Sequence, residues 1–108
     1  MYLFVYGTLR KGHKNHHIID SLEYLGNYIT KNNYYYNKMK DIVYKTDNNI
    51  ENETEYTQIT GELYKIPDKS FISYIDNFEK HPNYFYRENI YVLDKNNKTE
   101  LSYIYFKV

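Results

Sequence analysis

The stretch FVYGTLRKG, residues 4–12, joins a run of apolar and aromatic residues to a loop bounded by two glycines. The β-branched and aromatic residues from Tyr2 to Tyr6 are typical of a strand buried on both faces. Gly7 ends that strand, and a turn there frees backbone N–H groups that can bind an anion such as a carboxylate. A tight turn that serves the fold alone is the alternative, and this stretch leaves both interpretations open.

The glycine spacing of the same loop matches that of a phosphate-binding loop, G-x-x-x-x-G. His13 and Lys14, however, stand where that motif requires Lys and Ser or Thr. The ammonium for the phosphates and the hydroxyl for magnesium are therefore both missing. A chain of 108 residues also leaves little room for the parallel sheet on which such loops sit. We therefore reject a nucleotide-binding loop at this position.

Length and composition predict one domain, residues 1–108, with any site carved from its core. Fourteen Lys and Arg balance fourteen Asp and Glu, so neither nucleic acid nor an anionic membrane is an expected partner. We expect a small molecule as the partner instead. The chain has no Cys, which excludes disulfides and thiolate chemistry. No leader or long apolar run is visible, so we expect a cytoplasmic protein, and we favour a monomer.

The pattern of aromatic and β-branched residues predicts mostly strands. The expected strands cover 2–6, 24–30, 33–38, 41–45, 56–66, 84–93 and 101–107. Within 56–66, Gly61 marks either a bulge or a close backbone approach. The acidic, Asn-rich segment 45–55 is expected to be an exposed loop.

Two helices are predicted. The first is a short one over residues 14–22. The second is capped by Asp68 and ends before Pro82, and its apolar residues recur at three- and four-residue spacing: Phe71, Ile72, Ile75 and Phe78. Mostly strands with one strong helix predicts an α+β domain with a strongly curved or closed antiparallel sheet.

Glu79 is the candidate acid/base residue, because it follows Phe78 at the end of the second helix. A carboxylate there meets the negative end of the helix dipole, and neighbouring aromatic rings remove water from it. Both effects raise its pKa towards the range that a general base needs near neutral pH. The alternative is an exposed residue at the helix end that pairs with Lys80 or Arg87.

The histidines and tyrosines offer weaker hypotheses. The spacing of the four histidines is poor for a metal site, so no metal is expected; the four are His13, His16, His17 and His81. The runs YYY at 34–36 and YFY at 84–86 could stack bases, but zero net charge argues against nucleic acid.

Three segments together resemble the γ-glutamylcyclotransferase-like family, and most closely its γ-glutamylamine cyclotransferases. FVYGTLRKGHKNHHII is similar to the family's first strand and Y-G-[ST]-L loop, and ITGELYKI to its G-E-[LV]-Y strand. IDNFEKHPNYFYRENI is similar to the D-x-F-E-x-x-P segment that an Arg, here Arg87, follows. Order and spacing also agree, and only residues 30–55 fall outside the resemblance.

The resemblance implies a small antiparallel or mixed β-barrel with flanking helices and no cofactor. It also implies that the loop of Tyr6, Gly7, Thr8 and Leu9 binds the glutamyl end of the substrate, partly through backbone amides. Glu79 would be the acid/base residue of a reaction that releases 5-oxoproline and a free amine. A binding module that keeps the same barrel without turnover is the alternative.

The chain departs from the family at Phe85, where members commonly carry Tyr two residues before the Arg. A hydroxyl contact to the substrate is therefore missing there or supplied elsewhere, for example by Tyr105. The acidic loop 45–55 also replaces a Gly/Pro-containing segment of many members, which leaves the substrate preference open.

Overall fold

A computed structural model describes residues 1–48 and 50–108. The strands in this part of the chain are β1 (Tyr2–Val5), β2 (Glu23–Thr30), β3 (Tyr34–Asn37), β4 (Ile42–Tyr44), β5 (Thr54–Thr57), β6 (Thr60–Lys65), β7 (Phe85–Leu93) and β8 (Thr99–Lys107). One α-helix, α1 (Lys69–Glu79), lies between β6 and β7, and a single 3-10 turn covers His16–Ile18.

Five of the strands close into a barrel in the order β1-β6-β2-β7-β8. Neighbouring strands are antiparallel except for the closing pair, in which β1 runs parallel to β8 with Leu3 opposite Tyr103. Beyond β8 the sheet continues through β4 and β3 to β5. The predicted α+β fold and the mixed barrel are both confirmed.

β1 is buried on both faces, as its apolar run predicts. Phe4 packs with one group of apolar residues, which includes Leu63 of β6 and Ile104 of β8. Leu3 and Val5, which alternate with Phe4, pack with a second group that includes Ile72 and Ile75 of α1. Successive side chains of a strand point to opposite faces, so β1 separates the inside of the barrel from the layer beneath the helix.

The α1 helix begins and ends close to the predicted positions. The Asp68 carboxylate accepts a hydrogen bond from Phe71 N at 3.0 Å, which caps the first turn. The helix ends at Glu79 because Lys80 adopts a left-handed conformation with φ of 57°. No α-helix that the structure describes is long and apolar enough to cross a membrane.

The predicted helix over 14–22 is wrong, because only the 3-10 turn His16–Ile18 forms there. A helix this short gains too few hydrogen bonds to offset nucleation, and here the segment is shaped by long-range contacts instead. Asn15 bonds Thr8, and Ile19 is fully buried in the layer beneath α1. One α-helix, rather than several, therefore flanks the barrel in the described residues.

The predicted strand 56–66 forms two strands instead of one. The predicted loop 45–55 overlaps the first of them, because that strand begins at Thr54. Thr54–Thr57 form β5 on the edge of the sheet. In contrast, β6, which starts at Thr60, is one of the five strands of the barrel. The break falls at buried Ile59, whose N–H donates to Thr30 Oγ1 at 2.9 Å. Position 49 of the predicted loop lies outside the described residues.

Gly61 marks a close backbone approach. A Cβ atom at this position would lie 2.3 Å from Val5 O and 2.7 Å from Phe4 Cζ. Only glycine lets β6 pass so near to β1. The bulge lies in β2 instead, between Tyr24 and Gly26.

Candidate functional site

A cavity of about 370 Å³ opens where the loop after β1 meets the end of α1. All five residues that the sequence singled out line it, namely Tyr6, Gly7, Thr8, Leu9 and Glu79. The starts of β4 and β7 complete its walls with Ile42 and Phe85. Residues 72 positions apart in the sequence are thus brought together at one opening.

Glu79 lies on this cavity as the last residue of α1. Burial raises the pKa of its carboxyl from 4.5 to about 7, because the charged form loses hydration there. Within residues 1–48 and 50–108 no cation pairs with the carboxyl, and Arg87 pairs with Asp76 instead. The expected alternative, a helix-end Glu paired with Lys80 or Arg87, does not describe this residue.

The loop after β1 presents amide N–H groups that are free to bind a ligand. In the part of the chain that the structure describes, the N–H groups of Thr8 and Leu9 donate no hydrogen bond. The loop carbonyls are occupied, since Arg10 N donates to Gly7 O at 3.1 Å and Asn15 N to Thr8 O at 3.0 Å. This combination suits an anionic or carbonyl oxygen.

Gly7 is favoured by a close contact rather than by an unusual backbone angle. A Cβ atom here would lie 3.0 Å from Asp41 O, in the turn between β3 and β4. Arg10 Nε also donates to Gly7 O at 3.1 Å, which fixes the loop from the other side. Two neighbouring segments therefore hold the chain at Gly7.

The side chains of Tyr6 and Leu9 belong to the core. The Tyr6 hydroxyl donates to Tyr105 O and accepts from Val43 N, and burial raises the pKa of this phenol above its usual range. Leu9 packs beneath the helix with Leu3 and Val5. The loop can therefore contact a ligand mainly through its backbone.

Asp76 joins the end of α1 to two strands. Its carboxylate pairs with Arg87 of β7 and accepts a hydrogen bond from the Tyr105 hydroxyl of β8 at 2.6 Å. The hydroxyl of Tyr105 is thus already engaged within the protein. Asp76 of the D-x-F-E-x-x-P segment and Arg87, which follows that segment, therefore lie side by side.

Two of the four histidines bond to backbone atoms near the cavity. No group of three or more His, Asp or Glu that could hold a metal occurs among the described residues. His16 Nδ1 lies 2.8 Å from Leu9 O, and His81 Nδ1 accepts from Arg87 N at 3.0 Å. These two histidines stabilise the turns on either side of the cavity.

Sequence reasoning missed two residues that shape the site. Asn15 Nδ2 donates to Thr8 Oγ1 at 2.9 Å, and the Asn-His pair after the loop was the available signal. Asp41 packs on Gly7 and also lines the cavity. No local pattern announces Asp41, because the contact joins residues 34 positions apart.

The fold and the cavity together define a small mixed β-barrel with a half-buried carboxyl on its cavity, unpaired among the described residues, and a loop after β1 that lines the same cavity. The chain belongs to the family described as γ-glutamyl cyclotransferase, AIG2-like, whose model matches residues 3–108. The family and the names of the relatives indicate an enzyme of the γ-glutamylcyclotransferase type.

Two curated relatives support this assignment. A provisionally named γ-glutamylcyclotransferase of Methanocaldococcus jannaschii is 33% identical over 97% of this chain and 82% of its own length. The γ-glutamylaminecyclotransferase C of Danio rerio is 32% identical over 82% of this chain and 60% of its own length.

Solved structures share the fold. The mouse AIG2-like protein superposes with a TM-score of 0.76 at 20% identity, over 99% of this chain and 76% of that one. YkqA of Bacillus subtilis gives a TM-score of 0.69 at 28% identity, over 98% of this chain but only 35% of that one. The chain thus spans about a third of YkqA and three fifths of the zebrafish enzyme.

Proposed function

We propose that this protein converts a γ-glutamyl amine or a γ-glutamyl amino compound to 5-oxoproline and a free amine. Glu79 serves as the general acid and base. The observation that carries the proposal is the Glu79 carboxyl, which is half-buried on the cavity, unpaired among the described residues and has a pKa of about 7. Such a group can both accept and return a proton near neutral pH.

The reaction is an internal aminolysis of the substrate. Glu79 takes a proton from the α-ammonium, and the freed amine attacks the γ-carbonyl carbon to close a five-membered ring. The bond from that carbon to the leaving nitrogen then breaks as Glu79 returns the proton to that nitrogen. The ring nitrogen releases its second proton, which the departing amine takes up to leave as an ammonium ion. Both reacting groups belong to one molecule, so the substrate itself supplies their proximity. The proposed steps call for no cofactor.

The loop of residues 6–9 would hold the glutamyl end of the substrate. In this proposal the N–H groups of Thr8 and Leu9 bind the α-carboxylate, because they donate to no described residue and belong to residues that line the same cavity as Glu79. A carboxylate held there leaves the rest of the γ-glutamyl group to extend towards Glu79. The loop would thereby recognise the γ-glutamyl group, which all the proposed substrates share.

The decisive variant is Glu79→Gln, which keeps the shape of the side chain but cannot cycle a proton. We expect it to fold normally and to lose at least about 100-fold in 5-oxoproline release from γ-glutamyl-ε-lysine. Glu88→Gln, on a neighbouring strand and outside the cavity, is the matched control and should keep full activity. Undiminished turnover by Glu79→Gln would contradict the assignment.

A panel of γ-glutamyl compounds, each scored for 5-oxoproline, would identify the leaving amine. The rival function, a binding module on the same barrel, makes a different prediction for that panel. The wild-type protein would then bind a γ-glutamyl compound in calorimetry and yet release no 5-oxoproline from any of them.

A further inference from the structure

Three residues around the end of α1 are joined in a closed ring of contacts, which we call the turn network: Asp76, His81 and Arg87. The Arg87 guanidinium pairs with the Asp76 carboxylate. Arg87 N donates to His81 Nδ1 at 3.0 Å, and His81 N donates to Asp76 O at 2.9 Å. Each of the three residues therefore contacts both of the others.

The turn network fixes the chain on both sides of Glu79, which lies between Asp76 and His81 in the sequence. The last turn of a helix has carbonyls without helical partners and tends to fray. Here the network attaches that turn to β7, and the Tyr105 hydroxyl, 2.6 Å from Asp76 Oδ1, attaches it to β8. The same two strands supply Phe85 and Tyr105 to the cavity wall.

None of the three network residues lines the cavity, so none of them is placed to touch a substrate. No hydrogen bond or ion pair among the described residues joins their side chains to Glu79, so their contacts position Glu79 through the backbone of the turn. A reacting group that is displaced by about 1 Å can cost on the order of 100-fold in rate. A device that fixes the end of α1 therefore bears directly on proton transfer.

We infer that Asp76, His81 and Arg87 are positioning residues, which hold the Glu79 carboxyl against the cavity by tying the end of α1 to the barrel. This inference rests on the proposed role of Glu79. It goes further in assigning the Asp and the Arg of the D-x-F-E-x-x-P segment a joint task. A purely structural role would lower stability without changing how Glu79 titrates or how fast the folded enzyme turns over.

Two single variants test the inference because their direct electrostatic effects on Glu79 have opposite signs. Arg87→Gln removes a positive charge, which by itself would raise the pKa of Glu79, whereas Asp76→Asn removes a negative charge, which would lower it. If the network positions Glu79, both variants loosen the turn and admit water. The pKa then moves in both from about 7 towards 4.5.

The kinetic readout is kcat at a temperature where circular dichroism shows each variant to be folded. We expect kcat to fall about tenfold or more in both variants, with KM changed less than about twofold. The double variant should lose no more than either single variant, because the two residues act as one unit. The control is Glu88→Gln, on the same strand as Arg87. It breaks the ion pair between Glu88 and Lys45 and should leave kcat unchanged.

A pKa of Glu79 that rises in Arg87→Gln, or a kcat within twofold of wild type in both folded variants, would overturn the inference. The titration of the Glu79 carboxyl, followed by nuclear magnetic resonance, does not depend on turnover. If the wild-type protein released no 5-oxoproline from any γ-glutamyl compound, the proposed function would fail, and the titration would still decide the positioning role.

Discussion

Glu79 is a carboxyl whose charge is costly where it lies. Burial raises its pKa to about 7 in the folded protein from 4.5, so between these pH values the folded chain binds a proton that the unfolded chain releases. The stability that this bound proton contributes to the folded state is complete below about pH 4.5 and is lost as the pH rises through 7. The residue that we propose as the base therefore also weakens the fold under the conditions in which it would act.

Glu79→Gln should remove this cost. The wild-type free energy of unfolding should fall by up to about 3 kcal/mol between pH 4.5 and 8, whereas the variant should lack that slope. Above pH 7 the variant should be the more stable protein. Urea unfolding across this pH range measures both quantities, and parallel curves for the two proteins would show that Glu79 titrates like an exposed carboxyl.

Position and neighbours made Glu79 a candidate in the sequence, because an acid next to Phe78 at a helix end is a local pattern, and the resemblance to a family then selected it. Asp41 could not be predicted in this way. Its contact with Gly7 depends on how the β3–β4 turn folds over the barrel, and nothing within a few residues of either position encodes that. Local patterns predict candidate reactive groups better than the residues that hold them.

At the scale of an element, the loop after β1 depends on Asn15. The Asn15 side chain donates to Thr8 Oγ1 at 2.9 Å, and this bond braces a segment that lines the cavity. The shape of the loop is therefore set by a residue beyond it, in a segment that was predicted to be helical.

Asn15→Ala should loosen the loop and weaken substrate binding. Losing one hydrogen bond worth about 1 kcal/mol predicts a KM about fivefold higher with kcat nearly unchanged. Steady-state kinetics with the best γ-glutamyl substrate measures this. Asn96→Ala, in the exposed turn between β7 and β8, is the control, and an equal effect of both variants would argue against a role for the loop.

At the scale of the whole molecule, Gly61 allows the barrel to close. Since a Cβ there would lie 2.3 Å from Val5 O, Gly61→Ala must push β6 away from β1. We expect a loss of about 3 kcal/mol or more in the free energy of unfolding, whereas Thr60→Ala on the same strand should change it by less than about 0.5 kcal/mol. Thermal and urea unfolding test this, and equal stability of the two variants would show that the strands can separate without cost.

The aromatic and β-branched residues predicted most strands and a strongly curved or closed sheet, and the resemblance to a family specified a small barrel. The division of 56–66 was not predictable, because it depends on the hydrogen bond from Ile59 to Thr30, a residue in another strand. The failure over 14–22 has a similar cause, since burial of Ile19 and the bond from Asn15 outweigh a weak helical tendency.

The parallel pair of β1 and β8 joins opposite ends of the described chain, and the cavity lies beside it. During synthesis, the ribosome releases the loop of residues 6–9 and the Glu79 turn long before β8 emerges. Until then the Tyr6 hydroxyl lacks its acceptor at Tyr105, and Asp76 lacks one of its donors. A nascent chain that stops before Thr99 should therefore carry Glu79 and the loop of residues 6–9, the parts of the proposed site, and still be unable to bind the ligand.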